Sequence, residues 1–135
     1  SFGISKAMQN SGLADGIAHT AINFAKNWGP IGVLACIYLI TNIFTEVITN
    51  NAAAAISFPI AMAAAHQMGV DPKPFFVAIA IAASMSFSTP IGYQTNLIVQ
   101  GIGNYRFKDF VKVGLPFNLI AFIICITLIP LFWKF

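Results

Sequence analysis

Thr41, Asn42, Thr45, Glu46, Thr49, Asn50 and Asn51 crowd into one stretch, ITNIFTEVITNNAAAAISFPIAM, at residues 40–62. A second polar cluster, Ser88-Thr89-Pro90-Ile91-Gly92 followed by Tyr93-Gln94-Thr95-Asn96, interrupts another apolar run. Hydroxyl, carboxamide and carboxylate groups, with bare peptide groups where a helix stops, can bind ions. Neither cluster offers a nucleophile–base pair or a grouping of metal-ligating side chains. The chemistry expected is reversible ion binding, and the chain is not expected to be an enzyme.

The setting of these residues is apolar. Of 135 residues, 58% are hydrophobic and 8% charged, and the mean hydropathy is +0.80. Soluble domains carry roughly 25% charged residues, so the composition predicts a multi-pass integral membrane protein, with the cell (inner) membrane as its expected location and the lipid bilayer as a partner. Seven basic and four acidic residues give a net charge of +3. No block of like charge suits a nucleic acid, which is not expected as a partner. Cys36 and Cys125 sit in apolar runs and read as packing residues. The chain opens on Ser1 without a charged leader, and is expected to be a piece of a longer polypeptide forming a single transmembrane unit over residues 1–135.

Four parts are expected along the chain. Residues 1–27 read as two short helices broken at Asn10-Ser11-Gly12, with Phe2, Ile4, Met8, Leu13 and Ile17 among the apolar contacts. Residues 30–68 hold two apolar runs, 31–40 and 52–65. Each is too short for a hydrocarbon core, which takes about 20 helical residues. One very long helix or a re-entrant hairpin would accommodate them, and Asn50-Asn51 favours the hairpin. Residues 74–101 read as a helix broken in the middle, with the first arm running over 75–87, stopped at Ser88-Thr89-Pro90 and resuming at Leu97. Residues 111–133 form a full-length last span, with Trp133 as an interfacial anchor. Arg106, Lys108 and Lys112 put the connector before it on the cytoplasmic side.

Both breaks place polar backbone where lipid could not satisfy it, so they must be buried in protein or line a wet cavity. A helix that stops offers carbonyl oxygens to a hard cation, and one that starts offers amides to an anion. Discontinuous membrane helices of secondary transporters use both ends together. Thr49, Asn50 and Asn51 would form the hairpin tip, where they serve anion or cation. Ser88, Thr89, Pro90, Ile91 and Gly92 would form the second loop, with carbonyls turned inward. Thr95 and Asn96 would cap the restarting helix. Glu46, at an expected insertion cost on the order of 2.5–3.5 kcal/mol, would either tie the hairpin together or coordinate the cation. Thr41 and Asn42 read as packing residues, and Asn118 as an interhelical hydrogen bond.

TEVITNNAAAAISFPIA, STPIGYQTNLIVQG and YRFKDFVKVGLPFNLI together resemble the C-terminal half of the divalent anion:sodium symporters, the sodium/sulfate–dicarboxylate permeases. The likeness runs from about Phe2 to the end, and the two loop motifs are its specific part. It implies one of two inverted repeats, each with a re-entrant hairpin and a broken helix, and hence an all-α membrane fold completed by an N-terminal repeat. It also implies homodimers in the full-length protein and no organic cofactor. The family's Ser-Asn-Thr hairpin tip, which helps bind sodium and substrate, corresponds to Thr49-Asn50-Asn51. A sodium ion would accordingly use Thr49, Asn50, Ser88, Thr89, Ile91 and Gly92, and the anion Thr49, Asn50, Asn51, Thr95 and Asn96. Where dicarboxylate carriers typically show Thr-Pro-Pro-Asn, this chain has Tyr93-Gln94-Thr95-Asn96, which is more similar to the sulfate-type permeases. The resemblance thus implies sodium-coupled sulfate transport by alternating access. The alternatives are a proton-coupled dicarboxylate/citrate or arsenite-type carrier, and a membrane scaffold that transports nothing.

Overall fold

The computed structural model describes residues 2–135, and every regular element within them is helical. The contacts expected of Phe2 lie outside the described side chains. Helices α1 (Phe2–Asn10) and α2 (Leu13–Phe24) part at Ser11-Gly12, where Gly12 adopts the left-handed φ of 74°, a conformation glycine takes without a Cβ clash. The break expected at Asn10-Ser11-Gly12 is therefore present. Ala14, Ala18 and Ala21 form the buried stripe of α2, whose small side chains admit close packing on α4.

Helices α3 (Gly29–Val47) and α4 (Asn50–Met68) are joined by Ile48 and Thr49 alone and pack on each other, so the chain reverses there. The hairpin geometry holds, but its arms are longer than the apolar runs. Each has 19 residues, about 28 Å at 1.5 Å per residue, and α3 alone is long and apolar enough to cross a membrane. The expected polar interruption shrinks to the two connecting residues. Thr41, Asn42, Thr45 and Glu46 stay helical because their polar atoms find partners. Thr41 back-bonds to the Ile37 carbonyl at 2.8 Å, Thr45 reaches the Ala83 carbonyl in the last turn of the helix after the hairpin, and Asn42 and Glu46 reach the loop that follows it.

Helix α5 (Lys73–Ser84) packs beside α3 and α4, and these three make the centre of the bundle. Leu34, Ile37 and Tyr38 of α3 meet Ile60, Ala61 and Ala64 of α4 and Phe75, Ala78 and Ala82 of α5, all of them buried. Bonds from Thr45 and Asn42 near the end of α3 reach Ala83 and Met85 at the end of α5, so the two helices run parallel and finish together. The arm expected over 75–87 ends three residues early, at Ser84, and residues 85–93 are non-helical. The restart is also earlier than Leu97, since α6 spans Gln94–Gly103. Among the described residues α6 packs on no other helix.

Helix α7 (Phe107–Phe132) has 26 residues and begins where the Arg106 backbone amide donates to the Asp109 carboxylate at 2.8 Å. It turns Val113, Phe117, Ile120, Ile123 and Ile124 outward, an apolar face suited to lipid. Its inner face carries Gly114, Asn118, Cys125 and Ile129, and Phe122 meets the Tyr38 ring edge-on at 5.5 Å. Gly114 is required by proximity. A Cβ there would lie 2.0 Å from the Phe87 carbonyl oxygen. Gly114→Ala must push α7 off the loop, and overpacking of this kind costs about 1–3 kcal/mol. A lower melting temperature of the detergent-solubilised variant, relative to the unsubstituted protein, is the expected outcome.

Candidate functional site

Four helix ends converge in one place. Helices α3 and α5 bring their C-termini, and α4 and α6 their N-termini. Side chains sew these ends together. The Thr45 hydroxyl lies within hydrogen-bond reach of the Asn50 Oδ1 at 2.8 Å and of the Ala83 carbonyl. Asn42 Nδ2 donates to the Met85 carbonyl at 2.6 Å. Asn96 Nδ2 donates to the Ser86 and Thr89 carbonyls at 2.9 and 3.2 Å. The two breaks, remote in sequence, thus share one site.

Glu46 organises the second break. Its carboxylate accepts from the backbone amides of Phe87, Ser88 and Thr89 at 3.1, 3.0 and 2.8 Å. Asn118 Nδ2 adds a further donor, to Oε1 at 2.7 Å, and also donates to the Ser88 hydroxyl at 2.7 Å. The main-chain carbonyls beside Glu46 are covered too. Ser86 Oγ donates to the Thr45 carbonyl at 3.2 Å, and Thr89 Oγ1 to the Glu46 carbonyl. Successive amides aimed at one point make an anion-binding concavity, and here the protein fills it with its own carboxylate. Of the two roles considered for Glu46, tying the structure together is the one these bonds show, and the partner it ties is the 85–93 loop.

Gly92 lets the loop fold back onto α3. A Cβ at Gly92 would stand 2.2 Å from both the Thr45 carbonyl oxygen and the Ser86 hydroxyl. Pro90 and Gly92 are buried and Ile91 is exposed, so the loop's apex alternates between the bundle and the outside.

The predicted residues divide into two groups. Asn50, Ser88, Thr89, Gly92 and Asn96, with Glu46 and Pro90, are drawn into the junction. Thr49, Asn51, Ile91 and Thr95 are exposed on its rim. Thr49 is the N-cap of α4, its hydroxyl accepting from the Ala52 amide at 3.3 Å. Thr95 and Asn96 do not cap the restarting helix. Tyr93 is its N-cap and makes no side-chain bond there. Both residues fall inside the first turn, which frees Asn96 to cross to the loop. Asn42 is a correction as well. It caps the last carbonyl of the α5 arm instead of merely packing. Thr45 and Ala83 are site members that pattern reading left out, because a threonine inside a helix and an alanine carbonyl carry no signal of their own.

The junction gathers oxygen-bearing groups at one point. The Thr45 hydroxyl, with one hydrogen, lies between the Asn50 carboxamide and the Ala83 carbonyl, and hydroxyl, carboxamide and carbonyl oxygens are ligands that suit a hard cation. Among the described residues no three His, Cys, Asp or Glu side chains gather, and the carboxylate at the junction, Glu46, is taken up by the loop amides and Asn118. A cavity of about 450 Å³ between α6 and α7 adjoins the junction at Phe87 and Asn96 and is otherwise lined by Tyr105, Phe110 and Phe117, with the Asp109 carboxylate. Its apolar walls and acidic member make it a poor anion site.

A bundle of apolar helices whose two breaks share one polar junction is an arrangement that membrane transport proteins use. The chain belongs to the citrate transporter family (CitMHS), whose pattern it matches over residues 1–135. It is therefore an integral membrane protein, of a family of transporters. It is 42% identical over 119 residues to sodium/sulfate cotransporter 1 of Chlamydomonas reinhardtii, covering 87% of this chain and 14% of that protein. Sodium/sulfate cotransporter 2 of the same alga is 39% identical over 130 residues, or 92% of this chain and 15% of that protein. The transporter YfbS of Escherichia coli K12 is 38% identical over 129 residues, 96% of this chain and 21% of that protein. The chain spans 14% to 23% of the length of the curated relatives it matches most strongly.

The Glu46 contacts predict a graded response. Glu46→Ala leaves three amides without their acceptor and costs about 2 kcal/mol, whereas Glu46→Gln keeps one oxygen and loses less. Hydrogen–deuterium exchange of peptides covering 85–93 should rise in the same order, Ala above Gln above the unsubstituted protein.

Proposed function

We propose that the chain is the C-terminal repeat of a sodium-coupled symporter for a divalent oxyanion, with sulfate as the substrate. The observation that carries this reading is the meeting of the Thr45 hydroxyl, the Asn50 carboxamide and the Ala83 carbonyl where the two helix breaks converge. Sodium is a transported substrate in this scheme. Asn50, Thr45 and Ala83 would ligate it, with Thr49 at the tip and the loop carbonyls of 88–92 beside it. The names of the algal cotransporters support sodium and sulfate as the pair.

The anion would follow the cation. The exposed rim of Thr49, Asn51 and Thr95 lies at the starts of α4 and α6, where free amides and the positive ends of the helix dipoles favour negative charge. Glu46 is held away from this rim by its own amide partners. Sodium binding would lower the local negative potential and order the tip, so that the anion binds second. A pseudo-symmetric N-terminal repeat would complete the site, the re-entrant hairpin would reach the membrane interior, and alternating access would move the junction between the two sides. Homodimers in the cell (inner) membrane are part of the same proposal.

Uptake of radiolabelled sulfate by the full-length protein in proteoliposomes is the test. An inward sodium gradient should accelerate uptake. Thr45→Val, which removes the shared hydroxyl, should raise the sodium concentration for half-maximal uptake roughly tenfold, the scale of one lost charge-assisted contact. Sulfate uptake indifferent to sodium, or driven by a proton gradient alone, would overturn the coupling. If Asn50→Ala transports as the unsubstituted protein does, the junction is not the ion site.

A further inference from the structure

Asn118 is a polar side chain on the inner face of a long apolar helix, and it carries the side-chain hydrogen bonds through which α7 reaches the loop. We propose that Asn118 is a positioning residue for the ion junction. By bridging the Glu46 carboxylate and the Ser88 hydroxyl it couples α7 to residues 85–93 and fixes the loop's amides on Glu46.

Three observations support this. Both amide hydrogens of Asn118 are used, one on Glu46 Oε1 and one on Ser88 Oγ, each at 2.7 Å. Its Oδ1 is buried and has no partner among the described residues. A buried carboxamide oxygen left unpaired is a cost accepted for orientation. Turning the group over would set Oδ1 against the Glu46 carboxylate, so only one orientation is stable. The third observation is independent of hydrogen bonding. Gly114 stands one helical turn before Asn118, on the same face, and its missing side chain lets the helix backbone press on Phe87 and Ser88. Steric contact at Gly114 and polar contact at Asn118 together seat α7 on the loop.

The consequence concerns geometry at a distance. Glu46 and Thr45 are adjacent on α3, and the Ser86 hydroxyl lies within hydrogen-bond reach of both, the Thr45 carbonyl at 3.2 Å and Glu46 Oε2 at 3.4 Å. A loop that slips from Glu46 also moves Ser86 and the end of α5, where Ala83 offers its carbonyl to the junction. Asn118 touches neither the shared Thr45 hydroxyl nor the exposed rim, so its effect on binding passes through the loop.

Asn118→Asp is the informative substitution because it preserves volume and places a carboxylate against Glu46 and Ser88. The functional part of the test rests on the sodium-coupled reading above, and the structural part does not. In the full-length protein the variant should show faster exchange of the 85–93 peptides. It should also require a roughly tenfold higher sodium concentration for half-maximal sulfate uptake, with a much smaller change in maximal rate per folded transporter. Adding Glu46→Gln to Asn118→Asp removes the like-charge contact and should recover most of both losses. Exchange and sodium dependence unchanged in Asn118→Asp would overturn the proposal, as would losses that Glu46→Gln fails to relieve. If uptake proves independent of sodium in the unsubstituted protein, the coupling reading falls, and the exchange measurements alone decide the role of Asn118.

Discussion

The Glu46 carboxylate, held by three successive loop amides, is the constraint on which the rest of this structure depends. A loop at 85–93 inside an apolar bundle leaves peptide groups that neither lipid nor hydrocarbon side chains can satisfy. Glu46 takes the amides of 87–89, while Asn42 and Asn96 take carbonyls at Met85, Ser86 and Thr89. With those groups matched, the chain can stop one helix and start another with six of the peptide groups at the break paired by side chains. The same matching removes these amides from competition for an external anion. Selectivity must therefore come from the groups left over.

What remains is an asymmetric junction. On the inner side the Thr45 hydroxyl, the Asn50 carboxamide and the Ala83 carbonyl meet at one point. On the rim the first turns of α4 and α6 offer hydroxyls, amides and Asn51. In the proposed scheme cation and anion would bind at adjacent but distinct groups of this junction. Such adjacency is what ion-coupled binding needs, since the charge of one ligand is then felt by the other at short range. The parallel run of α3 and α5 produces it, by delivering two carbonyl ends to one level.

Small residues make this convergence possible. The buried faces of α2, α4 and α5 are largely alanine, which permits close backbone approach. Gly92 and Gly114 then admit the loop between α3 and α7, at separations where any side chain would collide with backbone oxygen. Larger residues along these faces would spread the helix ends and leave each polar group facing hydrocarbon.

Much of this was legible in the linear chain. Composition alone marked the membrane, and the positions of Thr49–Asn51 and Ser88–Asn96 marked two breaks, because polar residues and Pro in apolar runs have few other uses. Helix extents were less legible. Local polarity suggested a break from Thr41 to Glu46, yet Thr41 bonds back to its own helix, and Asn42, Thr45 and Glu46 find partners that only the folded chain brings near. The start of α6 was misplaced for the same reason, since Asn96 serves a distant carbonyl instead of capping its own helix. Hydropathy is a property of each residue, and so the sequence by itself determined the solvent, the helical class and the sites of interruption. Hydrogen-bond pairing is a property of residues far apart in the chain. Only the tertiary structure decided that Glu46 would fill the loop's amides, that Thr45 would stand between Asn50 and Ala83, and that Asn118 would close the arrangement from α7.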